Sequence, residues 1–200
     1  MQQRNYQREM DALIASLGVR PRLLLHSCCG PCSSACLERL APHFDIDVFF
    51  YNPNILPAEE WEKRLFWQRH LLEAAPFGKD VGLIVPERDE AAFRLAAAGL
   101  EGESEGGARC TECFVLRLTR TAAAAREGGY DYFATTLTVS PHKNAPLINA
   151  IGEKLAGEYG VSWLPSDFKK RDGYRRSIAL SHEYGLYRQS WCGCGLPDDF

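Results

Sequence analysis

A parallel α/β sheet covered by helices is the fold class this sequence predicts. After residue 20, short apolar runs alternate with helical stretches, the pattern of strands that return in parallel through covering helices. A chain of 200 residues corresponds to one domain at about 150 residues each, and folding removes about 70% of its unfolded surface from water. Hydrophobic residues at 46%, charged residues at 24%, 17 Gly and 11 Pro are ordinary globular values. They exclude disorder, collagen-like repeats and a coiled coil.

The elements follow in order. Leu23-Leu24-Leu25 is the first strand, continuing through His26 and Ser27 into Cys28-Cys29-Gly30-Pro31, and a helix starts near Pro31, which suits a first helical turn. Residues 46–51 form the second strand, ended by Asn52-Pro53-Asn54, and 58–75 a long helix on which Glu60 and Arg64 pair at i, i+4. Residues 81–85, 131–136 and 162–164 give three more strands. The Ala-rich runs 91–98 and 121–125 are helical, as is 145–159. Residues 99–107 are rich in Gly and Glu without apolar period, a flexible loop. One domain over 1–200 is expected, with residues 169–200 packed on it as an appendage: a helix near 174–184, then a Gly-rich end. No apolar run approaches the 18 residues of a membrane span, and the opening Met1–Tyr6 has no apolar stretch behind it, so a cytoplasmic protein is expected.

The chain has eight cysteines, more than a core this size needs as staples, and in a reducing compartment they are metal ligands, redox groups or buried small hydrophobes. They fall in three clusters: Cys28, Cys29, Cys32 and Cys36; Cys110 and Cys113; Cys192 and Cys194. In an open parallel sheet ligands bind outside the carboxyl ends of the strands, where Cys28 and Cys29 sit. Cys110-Thr111-Glu112-Cys113 opens a helix, a spacing that serves a metal, a cluster or a reversible disulfide. Together with Cys28 and Cys29 it supplies four thiolates, the number an iron-sulfur cluster or a structural zinc requires. Adjacent cysteines favour the cluster, because neighbouring side chains converge less easily on one small ion. Cys32, at i+4 from Cys28, either faces the same rim or is buried at the helix start, and Cys36 reads as core filler. Cys192-Gly193-Cys194 suits a dithiol that cycles with a disulfide, or a second metal site. His26, His43, His70, His142 and His182 have no metal-ligand spacing.

Net charge is −3, yet residues 166–188 carry six cations against three acids. Lys169, Lys170, Arg175 and Arg176 lie there with Tyr174, Tyr184 and Tyr187, a mixture that suits a single-stranded RNA loop or, equally, a solvated face.

The motifs His26–Ser34, Tyr51–Ile55, Arg109–Phe114, Thr135–Asn144, Pro165–Lys170, Gly173–Ser177 and Tyr187–Cys194 follow one another as in a known family. The chain resembles the cobalamin-independent epoxyqueuosine reductases of the QueH type. The resemblance implies a Rossmann-like sheet related to adenine-nucleotide alpha-hydrolases, with Cys28-Cys29 where those relatives carry a phosphate loop. It implies reduction of the epoxide of epoxyqueuosine in tRNA to the alkene of queuosine, the last step of queuosine biosynthesis. It also implies a [4Fe–4S] cluster on Cys28, Cys29, Cys110 and Cys113, a redox-active pair in Cys192 and Cys194, and a further iron; Cys32 is either the positional candidate for that iron or a replacement for one of the four cluster ligands. Lys169, Lys170, Arg175 and Arg176 are the expected tRNA contacts. No Gly-x-Gly-x-x-Gly fingerprint for a flavin or nicotinamide is present, so electrons are expected from an external donor. The competing readings are a zinc-stabilised RNA-binding module without catalysis and a thiol-disulfide oxidoreductase.

Overall fold

A computed structural model describes residues 4–194 of the chain. Its sheet has five parallel strands, β1 (Arg22–His26), β2 (Asp45–Phe49), β3 (Gly82–Ile84), β4 (Tyr132–Thr135) and β5 (Ser162–Trp163), in the order β3-β2-β1-β4-β5. The chain winds outward from β1 in one direction, then returns to lay β4 on the other side of β1. This is the Rossmann-like arrangement, and its strand order reverses between β1 and β4, where such folds place their ligands. In register, His26 lies opposite Phe49 of β2 and Thr135 of β4.

Among the described residues seven α-helices flank the sheet: α1 (Tyr6–Ser16), α2 (Gly30–Leu40), α3 (Ala58–Ala74), α4 (Glu90–Ala97), α5 (Ala108–Glu127), α6 (Ala145–Tyr159) and α7 (Gly173–Glu183). The alternation of side chains along β1 divides the core. Leu23 and Leu25 pack on one face with Met10, Cys36, Leu37 and Leu40, while Leu24 packs on the other with Phe114, Leu118, Phe133 and Ile148. Both faces are buried, which is why the strands read as apolar runs rather than alternating ones.

The five expected strands are present. β3 and β5, at the sheet edges, are shorter than their apolar runs, because an edge strand has one neighbour to pair with. The Ala-rich run 121–125 and the turn carrying Cys110 belong to one 20-residue helix, α5. Helix α1 went unanticipated, because its polar composition hides a narrow stripe of Met10, Leu13 and Ile14 that packs on the core; Asn5 caps it by accepting from the backbone N–H of Arg8.

Two details position the site. Gly30 begins α2 against α3, where a Cβ would stand 2.6 Å from the Trp67 carbonyl oxygen, so the two helices meet backbone to backbone. Beyond α7 the chain turns back over the carboxyl end of the sheet. There the backbone N–H of Leu56 donates to the Gly193 carbonyl (2.7 Å), and Arg64 donates to the carbonyls of Cys192 (2.8 Å) and Trp191 (3.3 Å). Gly193 has φ +103° and would crowd the Arg64 guanidinium if it carried a Cβ. Among the described residues no helix is long and apolar enough to cross a membrane.

Candidate metal centre

The first cysteine cluster is built by the end of β1. The strand exits through His26 and Ser27, Cys29 is fully extended (φ −176°) as the residue before the helix, and α2 starts at once. That abrupt change brings Cys32, one turn into α2, back over Cys28 and Cys29. The three sulfurs lie within 4.8 Å of one another, with Cys28 and Cys29 Sγ 3.7 Å apart. Buried hydrogen bonds hold the turn. Ser27 and Ser33 donate to Gln68 Oε1 (2.7 and 2.8 Å), and Asn52 Nδ2 donates to the Ser27 carbonyl (2.8 Å).

Thiols this close share one negative charge. Hydrogen bonds from Cys29 and Cys32, helped by Arg117, hold Cys28 well below the usual thiol range. The same bonds push Cys29 up to about 12 and raise Cys32 well above its ordinary value. Cys29 also accepts from Gln189 Nε2 at 3.0 Å, a contact that fastens the returning C-terminal segment to the cluster.

Cys110 and Cys113 occupy the first turns of α5, both buried. The Gly106 N–H donates to Cys110 Sγ (3.2 Å), Arg117 faces Cys113 Sγ (3.8 Å), and burial raises the Cys113 thiol. Cys194 lies 3.7 Å from Arg109 and packs in one small apolar cluster with Cys113, Phe93 and Ala97. Cys192 is lowered to about 5, first by a hydrogen bond from Cys194 and then, against the cost of burial, by Lys143 and Arg117. No disulfide joins the cysteines.

A cavity of about 230 Å³ opens among these groups, lined by Cys28, Cys32 and Cys192 together with Arg117, Lys143, Trp191, Tyr174 and Arg188. The topology thus gathers cysteines from residue 28 to residue 192 around the strand-order reversal. The tight sulfur group comprises Cys28, Cys29 and Cys32, so Cys32 does face the rim. Cys36, four residues on, is fully buried in the apolar core, where burial raises its thiol well above the ordinary range.

The basic segment lies elsewhere. Lys169 and Lys170 face Asp167 (2.8 and 4.0 Å), Arg175 faces Asp172 (3.5 Å), and Arg176 grips Glu38 with two nitrogens. These four cations stand outside the cavity lining, which takes Tyr174, Ser177 and Arg188 from the same stretch.

His26 is wholly buried, with Nδ1 2.8 Å from Thr135 Oγ1, and burial lowers it to about 3; it is a neutral, structural imidazole. His142, with no metal-ligand spacing, lines the cavity. Reasoning from the sequence missed Arg117. The signal for Arg117 was its place four residues after Cys113, on the stripe formed by Cys110, Cys113, Phe114 and Arg117, all buried along α5. Arg64 pairs with Glu60 at 2.6 Å, as their i, i+4 spacing predicts.

A family model described as Epoxyqueuosine reductase QueH matches residues 23–198. The chain is 44% identical over 197 residues to a protein of Staphylococcus epidermidis, covering 95% of this chain and 83% of that one. It is 43% identical over 195 residues to one of Streptococcus pyogenes (95% and 76%) and 36% identical over 175 residues to one of Thermotoga maritima (86% and 88%). All three relatives carry the name Epoxyqueuosine reductase QueH.

Proposed function

The chain belongs to the epoxyqueuosine reductase QueH family, and on that premise we propose that it reduces the epoxide of epoxyqueuosine in tRNA to the alkene of queuosine, in the cytoplasm. Two electrons and two protons enter, the two C–O bonds of the epoxide break, a C=C bond forms, and the oxygen leaves as water. The observation that carries the reading is the group of three sulfurs, Cys28, Cys29 and Cys32, beside a cavity that Cys192 also lines, with Cys113 reached through Arg117 in the cavity wall.

The donor set fits an iron-sulfur group. It is made of soft sulfur ligands, three of them within 4.8 Å of one another and one of these, Cys28, favoured as thiolate. Cys28, Cys29, Cys110 and Cys113 would hold a [4Fe–4S] cluster, and Cys32, whose sulfur stands against Cys28 and Cys29, is the candidate for a further iron. When bound, such a group supplies electrons one at a time and a Lewis acid for the departing oxygen. The chain's own side chains supply the rest. Lys143, its side chain 10% exposed, keeps a cationic Nζ in the cavity wall, 2.8 Å from Glu105, and burial is outweighed by Cys192, Glu105 and Cys110, which raise it further. A cation so firmly protonated is a hydrogen-bond donor to the leaving oxygen rather than a ready acid. Trp191 offers the cavity an aromatic wall backed by the Arg64 guanidinium, 5.4 Å from its ring, a surface that suits a stacked base. Cys192 and Cys194, whose thiols share a hydrogen bond, would exchange a dithiol for a disulfide and so relay electrons from an external donor.

Protein purified without oxygen is expected to be brown, with about four irons and four sulfides per chain, and to convert epoxyqueuosine tRNA to queuosine tRNA with a chemical reductant. Colourless protein with one zinc and no turnover would overturn this reading in favour of an RNA-binding module.

A further inference from the structure

The Arg117 side chain is one of the two largest fully buried groups in the molecule, 2% exposed beneath the cysteine cavity. Its Nε–H donates to His26 Nε2 (3.3 Å), Nη2 to Asn52 Oδ1 (2.7 Å), and Nη1 faces Cys113 Sγ (3.8 Å). His26 Nε2 also stands 3.1 Å from the Tyr51 carbonyl, and Nδ1 faces Thr135 Oγ1. Neither the imidazole nor the Asn52 amide is an anion that could answer the charge of the guanidinium. Among the described residues no carboxylate pairs with it, whereas the other large buried arginine, Arg64, has Glu60 at 2.6 Å.

A guanidinium cannot shed its proton to escape burial, and a buried charge without a counter-charge is heavily penalised. The groups left to balance it are sulfurs. Cys113 Sγ stands 3.8 Å from Nη1, and Cys28 and Cys192 line the same cavity as Arg117, so one cysteine of each cluster is placed near the guanidinium.

We infer that Arg117 is the resident counter-cation of the cysteine site, a positioning residue whose fixed charge stabilises anionic sulfur from all three clusters and makes the metal group they hold easier to reduce. As far as it concerns that metal group, the inference rests on the function proposed above. The cradle is set by the sheet. His26 ends β1 and is held by Thr135 at the end of β4, and Asn52 follows β2 and is tied to the Ser27 carbonyl. The two acceptors fix the guanidinium plane without neutralising it, which leaves its charge for the sulfurs.

The test compares wild type with Arg117→Lys, Arg117→Gln and Asn52→Asp, reading iron content and the midpoint potential of the loaded protein anaerobically. Arg117→Gln should move the potential negative, Arg117→Lys should restore most of the difference, and Asn52→Asp, which keeps the arginine but sets a carboxylate against it, should also move it negative. An unshifted potential in both Arg117→Gln and Asn52→Asp, or Arg117→Lys as negative as Arg117→Gln, would overturn the inference. Should Arg117→Gln not fold or load metal, Asn52→Asp alone decides. A second arm needs no cofactor: in metal-free protein, the pH midpoint for alkylation of Cys192 should move upward in Arg117→Gln, and an unmoved midpoint counts against the proposal. Wild type that lacks a cluster would sink the proposed function while leaving this arm to judge Arg117.

Discussion

Cys32 and Cys36 stand one helical turn apart on α2 and differ in everything but element. The first meets two other sulfurs on the cavity rim; the second has no exposed surface and only apolar neighbours. Cys36→Ala should therefore keep full iron content and cost about 1 kcal/mol in urea unfolding, whereas Cys36→Ser, burying a hydroxyl among apolar groups, should cost more. Cys28→Ala or Cys113→Ala should lose metal with little change in the urea midpoint of the metal-free protein. The filler role of Cys36 was legible because apolar residues surround it in the chain itself. Arg117 was not legible, since its meaning depends on His26 and Asn52, which the sequence keeps 91 and 65 residues away. Another residue gives a pH signature. Tyr130 donates to Asp47, and burial together with that carboxylate raises its hydroxyl to about 12. The fold thus favours the neutral phenol, so its stabilisation is complete below pH 10 and is lost as pH climbs toward 12. Tyr130→Phe should flatten that alkaline fall in the thermal midpoint.

At the level of elements, the contact between α2 and α3 decides whether the three-sulfur turn is aimed at the cavity. Gly30→Ala would drive a Cβ into the Trp67 carbonyl, and since both partners are backbone, one helix must move. A loss of about 1–3 kcal/mol is expected, and metal retention should fall further than stability does, because the start of α2 carries Cys29 and Cys32. The strands could be read from the chain because both faces of a parallel sheet are buried and leave unbroken apolar runs. Helix α1 could not, because one narrow apolar stripe on a polar segment becomes visible only against the core it covers. The segment leading into α7 was legible in charge but not in charge state, since Asp167, Asp172 and Glu38 already answer its cations. If phosphates displace those acids, replacing Lys169, Lys170, Arg175 and Arg176 with glutamine should lower the slope of log affinity for tRNA against log salt by about 0.7 per lost contact. Iron content and turnover of the free epoxyqueuosine nucleoside should stay near wild type.

Across the whole molecule, the strand order rather than any single motif makes the site. Reversal between β1 and β4 leaves a crevice at the sheet's carboxyl end, α5 leans Arg117 into it, and the segment after α7 closes it. That closure rests on Arg64, on the Leu56 N–H and on the bend at Gly193. Gly193→Ala, strained by its positive φ and by contact with Arg64, should loosen the segment. Faster proteolysis after residue 186, with the thermal midpoint nearly unchanged, would report it. The same closure sets an order of events on the ribosome. The chain emerges at about 5–20 residues per second, so the thiols of residues 28–32 are made many seconds before residues 187–194, which cover them. A nascent chain in that interval is most open to an incoming metal donor and most open to oxygen. The three-sulfur group is thus made early and covered last.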